Sequence, residues 1–139
     1  RRVGGWSRRL RRRAGLALRG GVGLVGFGLG LAGPGLERFD RVGGIVFGNY
    51  TGKPRDPAAG VYIAPEWTLC VFEEGTLAST YAAFPFVMRL NGGKAPAAGV
   101  TMVGTLPEFR RRGHLRRIMQ ADFERRYEQR MEPLAVLLA

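Results

Sequence analysis

The stretch from Val103 to Met131 constrains this chain more than any other part of it. Val103, Gly104 and Thr105 end a β-like run, Pro107 interrupts it, and Arg110-Arg111-Arg112-Gly113 leads into Leu115, Ile118, Met119, Phe123, Tyr127 and Met131, which recur at helical spacing. The spacing predicts a strand, a loop and a helix with these six residues as its core-facing stripe. Pro133 ends the helix, and Leu134 to Leu138 reads as a buried strand parallel to the first. Between Val103 and Arg117 lie five arginines, gathered around the first turn of that helix. The helix dipole already places about half a positive charge and four unpaired amides there, so cations are misplaced by some tenths of a kcal/mol each. A multivalent anion reverses the sign: a pyrophosphate would accept hydrogen bonds from the free amides around Gly113, and guanidinium groups would reach further phosphates. A solvated basic helix start that binds nothing is the bland alternative, and the combination of strand, Pro, Arg triplet, Gly and stripe makes it the weaker one.

The rest of the chain supplies what such a unit needs. At 139 residues and 45% apolar, it is long enough for one domain with a modest core. Leu36, Phe39, Val42, Ile45 and Val46 mark an amphipathic helix ending near Gly48-Asn49, and Thr51 to Gly60 reads as a loop. Trp67 to Phe72 and Thr76 to Met88 read as a hairpin around Glu73-Glu74-Gly75. Pro85 requires a sheet edge or a bulge, because it cannot donate a ladder hydrogen bond. Asn91-Gly92-Gly93 is a further turn, and Gly99 to Thr105 a third strand. The expected order is helix, three antiparallel strands, helix, parallel strand.

Residues 1 to 35 differ in kind. Of 22 basic residues against 11 acidic, eight arginines and no acid precede Glu37, which leaves residues 37 to 139 at only +3. Half of the 22 glycines lie in residues 1 to 36, and Gly20 to Leu36 is uncharged. Such a segment cannot repay its ordering entropy, so a disordered extension is expected. Ser7-Arg8-Arg9 suggests a twin-arginine leader, but Arg11, Arg12 and Arg13 stand where a leader turns apolar. The glycines also weaken any reading of Gly20 to Leu36 as a membrane span. Gly21 to Gly26 matches GxGxxG, a motif that works only between a strand and a helix aimed at a pyrophosphate; with neither expected, the match is discarded. The lone Cys70 excludes an internal disulfide and a thiolate zinc cluster, and no metal site is expected. A reducing cytoplasm is the expected compartment.

Residues 98 to 119, Ala-Gly-Val-Thr-Met-Val-Gly-Thr-Leu-Pro-Glu-Phe-Arg-Arg-Arg-Gly-His-Leu-Arg-Arg-Ile-Met, resemble the acetyl-coenzyme A motif of the GCN5-related N-acetyltransferases (GNAT superfamily), in particular the enhanced intracellular survival type, whose loop tends to read Arg-Arg-Arg-Gly-x-Leu. Leu115 departs from the general Arg/Gln-x-x-Gly-x-Gly/Ala pattern and agrees with that branch. Glu74-Gly75, Ala83-Phe84-Pro85-Phe86, Pro96-Ala97-Ala98-Gly99 and Val46-Phe47-Gly48 fit it too. The resemblance implies a partial α/β (α+β) acyl-CoA N-acyltransferase fold over residues 36 to 139: a mixed sheet with antiparallel strands, then a strand-helix-strand cofactor unit. It implies acetyl-CoA as acyl donor, with Val103, Gly104 and Thr105 along the pantetheine arm and Arg111, Arg112, Gly113, His114, Leu115 and Arg116 around the pyrophosphate. It implies an amine acceptor and, in the complete protein, a homo-oligomer.

Catalytic residues are not assigned. In the branch that the chain resembles, a tyrosine acts as general acid and a chain-terminal carboxylate as base, and both are expected beyond Ala139. With Arg as first residue and an apolar stretch at its end, the sequence reads as a fragment, inactive alone. Tyr127 falls on the helix stripe and is expected to pack; Glu73 and Glu74 are expected to be solvated turn residues. His114, the only histidine, reads as a phosphate neighbour or a solvent-facing side chain, and Cys70 as a small core residue. A competing class is a nucleic-acid binder using the arginines against backbone phosphates. The near-neutral body, and aromatics Trp67, Phe72, Phe84 and Phe86 at positions that suggest core, oppose it; neither nucleic acid nor membrane is the expected partner.

Overall fold

The computed structural model describes residues 22–25, 34–53 and 63–137. Along the chain run β1 (Val22–Val25), α1 (Pro34–Val46), β2 (Thr68–Glu73), β3 (Thr76–Leu90), β4 (Gly93–Thr105), α2 (His114–Glu128) and β5 (Leu134–Leu137), with single 3-10 turns at Pro65–Trp67 and Pro107–Phe109. The strands form one sheet in sequence order, β1 to β4 antiparallel and β5 parallel to β4. This is the expected mixed sheet with a strand-helix-strand unit at its end.

The sheet is covered on both faces. Phe39 and Val42 of α1 pack with Cys70, Leu77, Ala82 and Leu106 on one side. Ile118 of α2 packs with Leu69, Val71, Tyr81, Ala83, Ala98 and Val100 on the other, joined by Val103 and Met119. Cover on both sides explains why Leu77 to Ala83 is buried without interruption rather than at alternate residues. Pro85 lies three residues past Ala82, the last β3 residue that pairs with β2, so its missing donor falls on a local edge. Its neighbour Phe84 lies over Gly99 across the strand pair, where a Cβ would stand 2.4 Å from the ring.

Several expectations give way. Val22–Val25, inside the segment expected to be disordered, pairs with Cys70 to Glu73 as β1. The GxGxxG match thus has its four middle residues in an antiparallel strand. The remainder of residues 1 to 33, most of the loop from Thr51 to Gly60, and Leu138 lie outside the described residues. Leu134 to Leu137 form the expected parallel strand but are exposed throughout, because β5 is the sheet's edge and has only β4 beside it among the described residues. Of the six stripe residues only Ile118 is buried, with Met119 and Met131 half-buried; Tyr127 is 87% exposed. The face of α2 that meets the sheet carries His114, Ile118, Asp122, Arg125 and Arg126. Trp67, Phe72, Phe84 and Phe86 are half-buried.

Candidate functional site

Two irregularities in β4 and α2 define the site. Thr80 pairs with Gly104 and Ala82 with Thr101, so Met102 and Val103 together oppose the single residue Tyr81. Met102 has φ of 52°, and the strand bulges there. Side chains take over where the ladder breaks: Thr80 Oγ1 donates to the Met102 carbonyl at 2.9 Å and Ser79 Oγ to the Gly104 carbonyl at 2.8 Å. On the opposite side, β5 pairs with β4 only from Ala97 to Val100. From Thr101 to Thr105, β4 therefore has no strand partner on the β5 side among the described residues. Val103, Gly104 and Thr105 all lie on this unpaired stretch.

It leads directly into the arginine turn. Pro107–Phe109 makes one 3-10 turn, Arg111 and Gly113 both take positive φ (64° and 78°), and α2 starts at His114. Gly113 is the N-cap and offers no side chain to the helix amides; the first helical bond runs from the Arg117 amide to the Gly113 carbonyl at 3.1 Å. The amides of His114, Leu115 and Arg116 precede it and have no intrahelical acceptor. A Cβ on Gly113 would meet nothing within 4 Å. Open space thus stands in front of unpaired amides, and only glycine holds that φ without strain. Arg110, Arg111, Arg116 and Arg117 are exposed around it.

Two residues of the turn are anchored beneath it. Arg112 Nη1 lies 2.5 Å from Glu73 Oε1, its Nη2 donates to the Glu108 carbonyl at 2.8 Å, and its guanidinium stands 5.2 Å over the Phe109 ring. His114 is 2% exposed, with Nε2 2.7 Å from Glu73 Oε2. It is not the solvent-facing side chain allowed for above. Its Nδ1 has no hydrogen-bond partner among the described residues. Glu73 is not a solvated turn residue either: it closes β2, and the turn is Glu74-Gly75. Desolvation pushes its carboxyl up, but the hydrogen bond and charge of Arg112, with the His114 contact, outweigh this and hold it below the usual carboxylate range. The parity of β2 offered a signal for its role, since Glu73 shares a face with Leu69 and Val71, which point toward α2.

Behind the turn, α2 is held by a buried polar network absent from the sequence reading. Asp122, fully buried, accepts from the Tyr81 hydroxyl at 2.9 Å, Arg126 Nε at 2.7 Å and Arg125 Nη2 at 3.3 Å. Arg126 also reaches Glu132 at 2.5 Å and the Ala83 carbonyl at 3.4 Å, tying both ends of the α2–β5 connection to β3. Burial pushes the Tyr81 hydroxyl up, and the Asp122 charge adds to this, so Tyr81 is a structural donor. Burial also pushes the Cys70 thiol up to about 12, which fits a core residue and not a nucleophile.

On the α1 side, a groove of about 900 Å³ bounded by Glu37, Arg41, Tyr50 and Lys53 reaches Met102. It is remote from the arginine turn but touches the β4 bulge from the opposite face. Gly43 allows this approach: a Cβ there would stand 2.5 Å from Met102 Cε. No helix among the described residues is long and apolar enough to cross a membrane.

Residues 46–139 match the family described as acetyltransferase (GNAT) domain. Among curated proteins no match is found. Similar solved structures include a GCN5-related N-acetyltransferase from Anabaena variabilis ATCC 29413, at TM-score 0.64 and 20% identity over 79% of this chain and 27% of that one. Eis1 from Mycobacterium abscessus aligns at TM-score 0.62 and 20% identity over 79% of this chain and 26% of that one. An aminoglycoside acetyltransferase, HMB0005, from an uncultured soil metagenomic sample aligns at TM-score 0.60 and 16% identity over 85% of this chain and 78% of that one. At these identities the likeness is one of fold. The chain spans about a quarter of the length of the first two.

Proposed function

Since the chain belongs to the GNAT acetyltransferase family, we propose that it carries the cofactor half of an acetyl-CoA-dependent N-acetyltransferase, with the coenzyme's pyrophosphate at the Arg111–Arg116 turn. One observation carries this reading: unpaired amides at the start of a 15-residue helix, open space before Gly113, and exposed arginines lie at the end of a strand whose last five residues lack a partner on one side. An anion site and an extended slot follow one another along the chain, as a nucleotide with a long arm requires.

Each residue's part follows from its place. The amides of His114, Leu115 and Arg116 would donate to phosphate oxygens, and Arg111 and Arg116 would add charge from the rim. The backbone of Val103, Gly104 and Thr105 would line the pantetheine arm and direct main-chain groups at the thioester. When bound, the coenzyme supplies an activated acetyl group. Arg112 stands on Glu73 and supports the turn from below. The acceptor is an amine of a small molecule or a lysine, and the groove beside α1 that reaches Met102 is where it would approach. Catalytic acid and base are unassigned. Glu73 and His114 are engaged with one another at the phosphate end, Tyr81 is committed to Asp122, and Cys70 is a core thiol.

The reading is tested by equilibrium dialysis of acetyl-CoA against the chain and its Gly113→Asp variant, with a nonspecific oligonucleotide as competitor. Binding that Gly113→Asp abolishes and the oligonucleotide does not displace is expected. No binding, binding unaffected by Gly113→Asp, or displacement by the oligonucleotide would overturn it.

A further inference from the structure

A single carboxylate ties the arginine turn to the sheet. Glu73 presents one oxygen to Arg112 at 2.5 Å and the other to His114 at 2.7 Å, and these two residues flank Gly113. The left-handed residue is thus held from both sides against one point at the end of β2. The hold is stiff. His114 is buried on the first turn of α2, while Arg112 is also fixed by the Glu108 carbonyl and the Phe109 ring. The Glu73 backbone pairs with Thr76 in the β2–β3 hairpin and with Val22 of β1, so the anchor does not sit on a loop.

We propose that Glu73 is a positioning residue for the phosphate turn, acting through Arg112 and His114 to aim the amides on either side of Gly113. The proposal rests on the cofactor reading above and goes further in one respect. A carboxylate beside an anion site opposes the anion by charge alone, so its presence there makes sense only if the geometry it imposes outweighs that repulsion. Charge and geometry therefore predict opposite signs. Removing Glu73 as a charge would tighten binding of coenzyme A, whereas removing it as an anchor weakens it. The anchoring also divides the arginines: Arg112 serves the turn's shape, and Arg111 and Arg116 serve its charge.

The test is calorimetric titration of coenzyme A into the parent chain, Gly113→Asp, Glu73→Ala, Glu73→Gln, Arg112→Ala and the Glu73→Ala/Arg112→Ala double variant. Glu73→Ala should raise the dissociation constant about tenfold, or about 1.4 kcal/mol. Glu73→Gln, which keeps an acceptor for Arg112, should raise it about threefold. In the Arg112→Ala background the effect of Glu73→Ala should shrink, a coupling that general destabilisation does not produce. If Glu73→Ala fails to fold, the cycle is run with Glu73→Gln, and the same shrinkage is expected. Equal or tighter binding by the Glu73 variant used, or the same loss in both backgrounds, overturns the positioning role while leaving the cofactor site standing. A parent chain that does not bind coenzyme A, or a Gly113→Asp variant that binds like the parent, overturns the cofactor reading and this role with it.

Discussion

Asp122 offers the sharpest test of how the cofactor helix is held. It is fully buried and receives three donors, from Tyr81, Arg125 and Arg126. Asp122→Ala leaves Arg125 and Arg126, each under 10% exposed, short of their shared counter-charge, and leaves the Tyr81 hydroxyl without its acceptor. Breaking a buried ion pair from one side costs about 3–5 kcal/mol, because the remaining charge stays desolvated. Against a total stability of about 5–15 kcal/mol, this change alone could unfold the domain. Tyr81→Phe removes one neutral donor but leaves Asp122 its two guanidinium partners, at about 0.5–1.5 kcal/mol. Asp122→Ala/Arg126→Met removes both charges of the tightest pair and should be more stable than Asp122→Ala alone. Urea unfolding followed by tryptophan fluorescence measures all three. An Asp122→Ala cost below about 1 kcal/mol, or a double variant showing the sum of two large losses, would refute the view that the network is a desolvated charge cluster.

Gly99→Ala should cost about 1–3 kcal/mol by driving Phe84 off the cross-strand glycine, whereas Gly43→Ala, which meets only the flexible Met102 methyl, should cost less; chemical denaturation of both decides. Glu73 is held below its ordinary carboxylate range when folded, so it contributes stability above that range that disappears as pH falls through the lowered value. Thermal melts across acid pH should show a shallower loss in Glu73→Gln than in the parent, and identical slopes would refute the pairing.

Four of the five strands and the turns between β2, β3 and β4 were legible because their signals are local, whereas β1 lay in the glycine-rich segment expected to be disordered and β4 begins at Gly93 rather than Gly99. Asn91-Gly92 and Glu74-Gly75 close two-residue hairpins with both residues of each at positive φ, the chemistry that such turns need. The arginine turn was legible because five cations at a helix start are unfavourable without a reason. The orientation of α2 was not. Hydropathy weights Phe123 and Tyr127 as core, but Tyr81 and the Ala83 carbonyl offer partners that let Asp122 and Arg126 take the buried face instead. Such partners lie some forty residues away, beyond the reach of any periodicity. The same distance hid Glu73, whose neighbours Arg112 and His114 arrive only when α2 packs on β2. The burial expected of Leu134 to Leu137 failed for a related reason: an apolar strand looks the same in sequence at the edge of a sheet and in its middle.

Titration of coenzyme A at low and moderate salt, on the parent chain, Gly113→Asp and Arg117→Ala, tests the central claim most directly. The parent should bind, more weakly as salt rises, and be stabilised by about 2.7 kcal/mol at a hundredfold excess over the dissociation constant. Gly113→Asp should lose binding, since it strains a residue at φ of 78° and puts a carboxylate into the open space before the helix amides. Arg117, whose amide already makes the first helical bond, should matter less. If Gly113→Asp binds as tightly as the parent, or only Arg117→Ala loses affinity, the phosphate site is not at this turn.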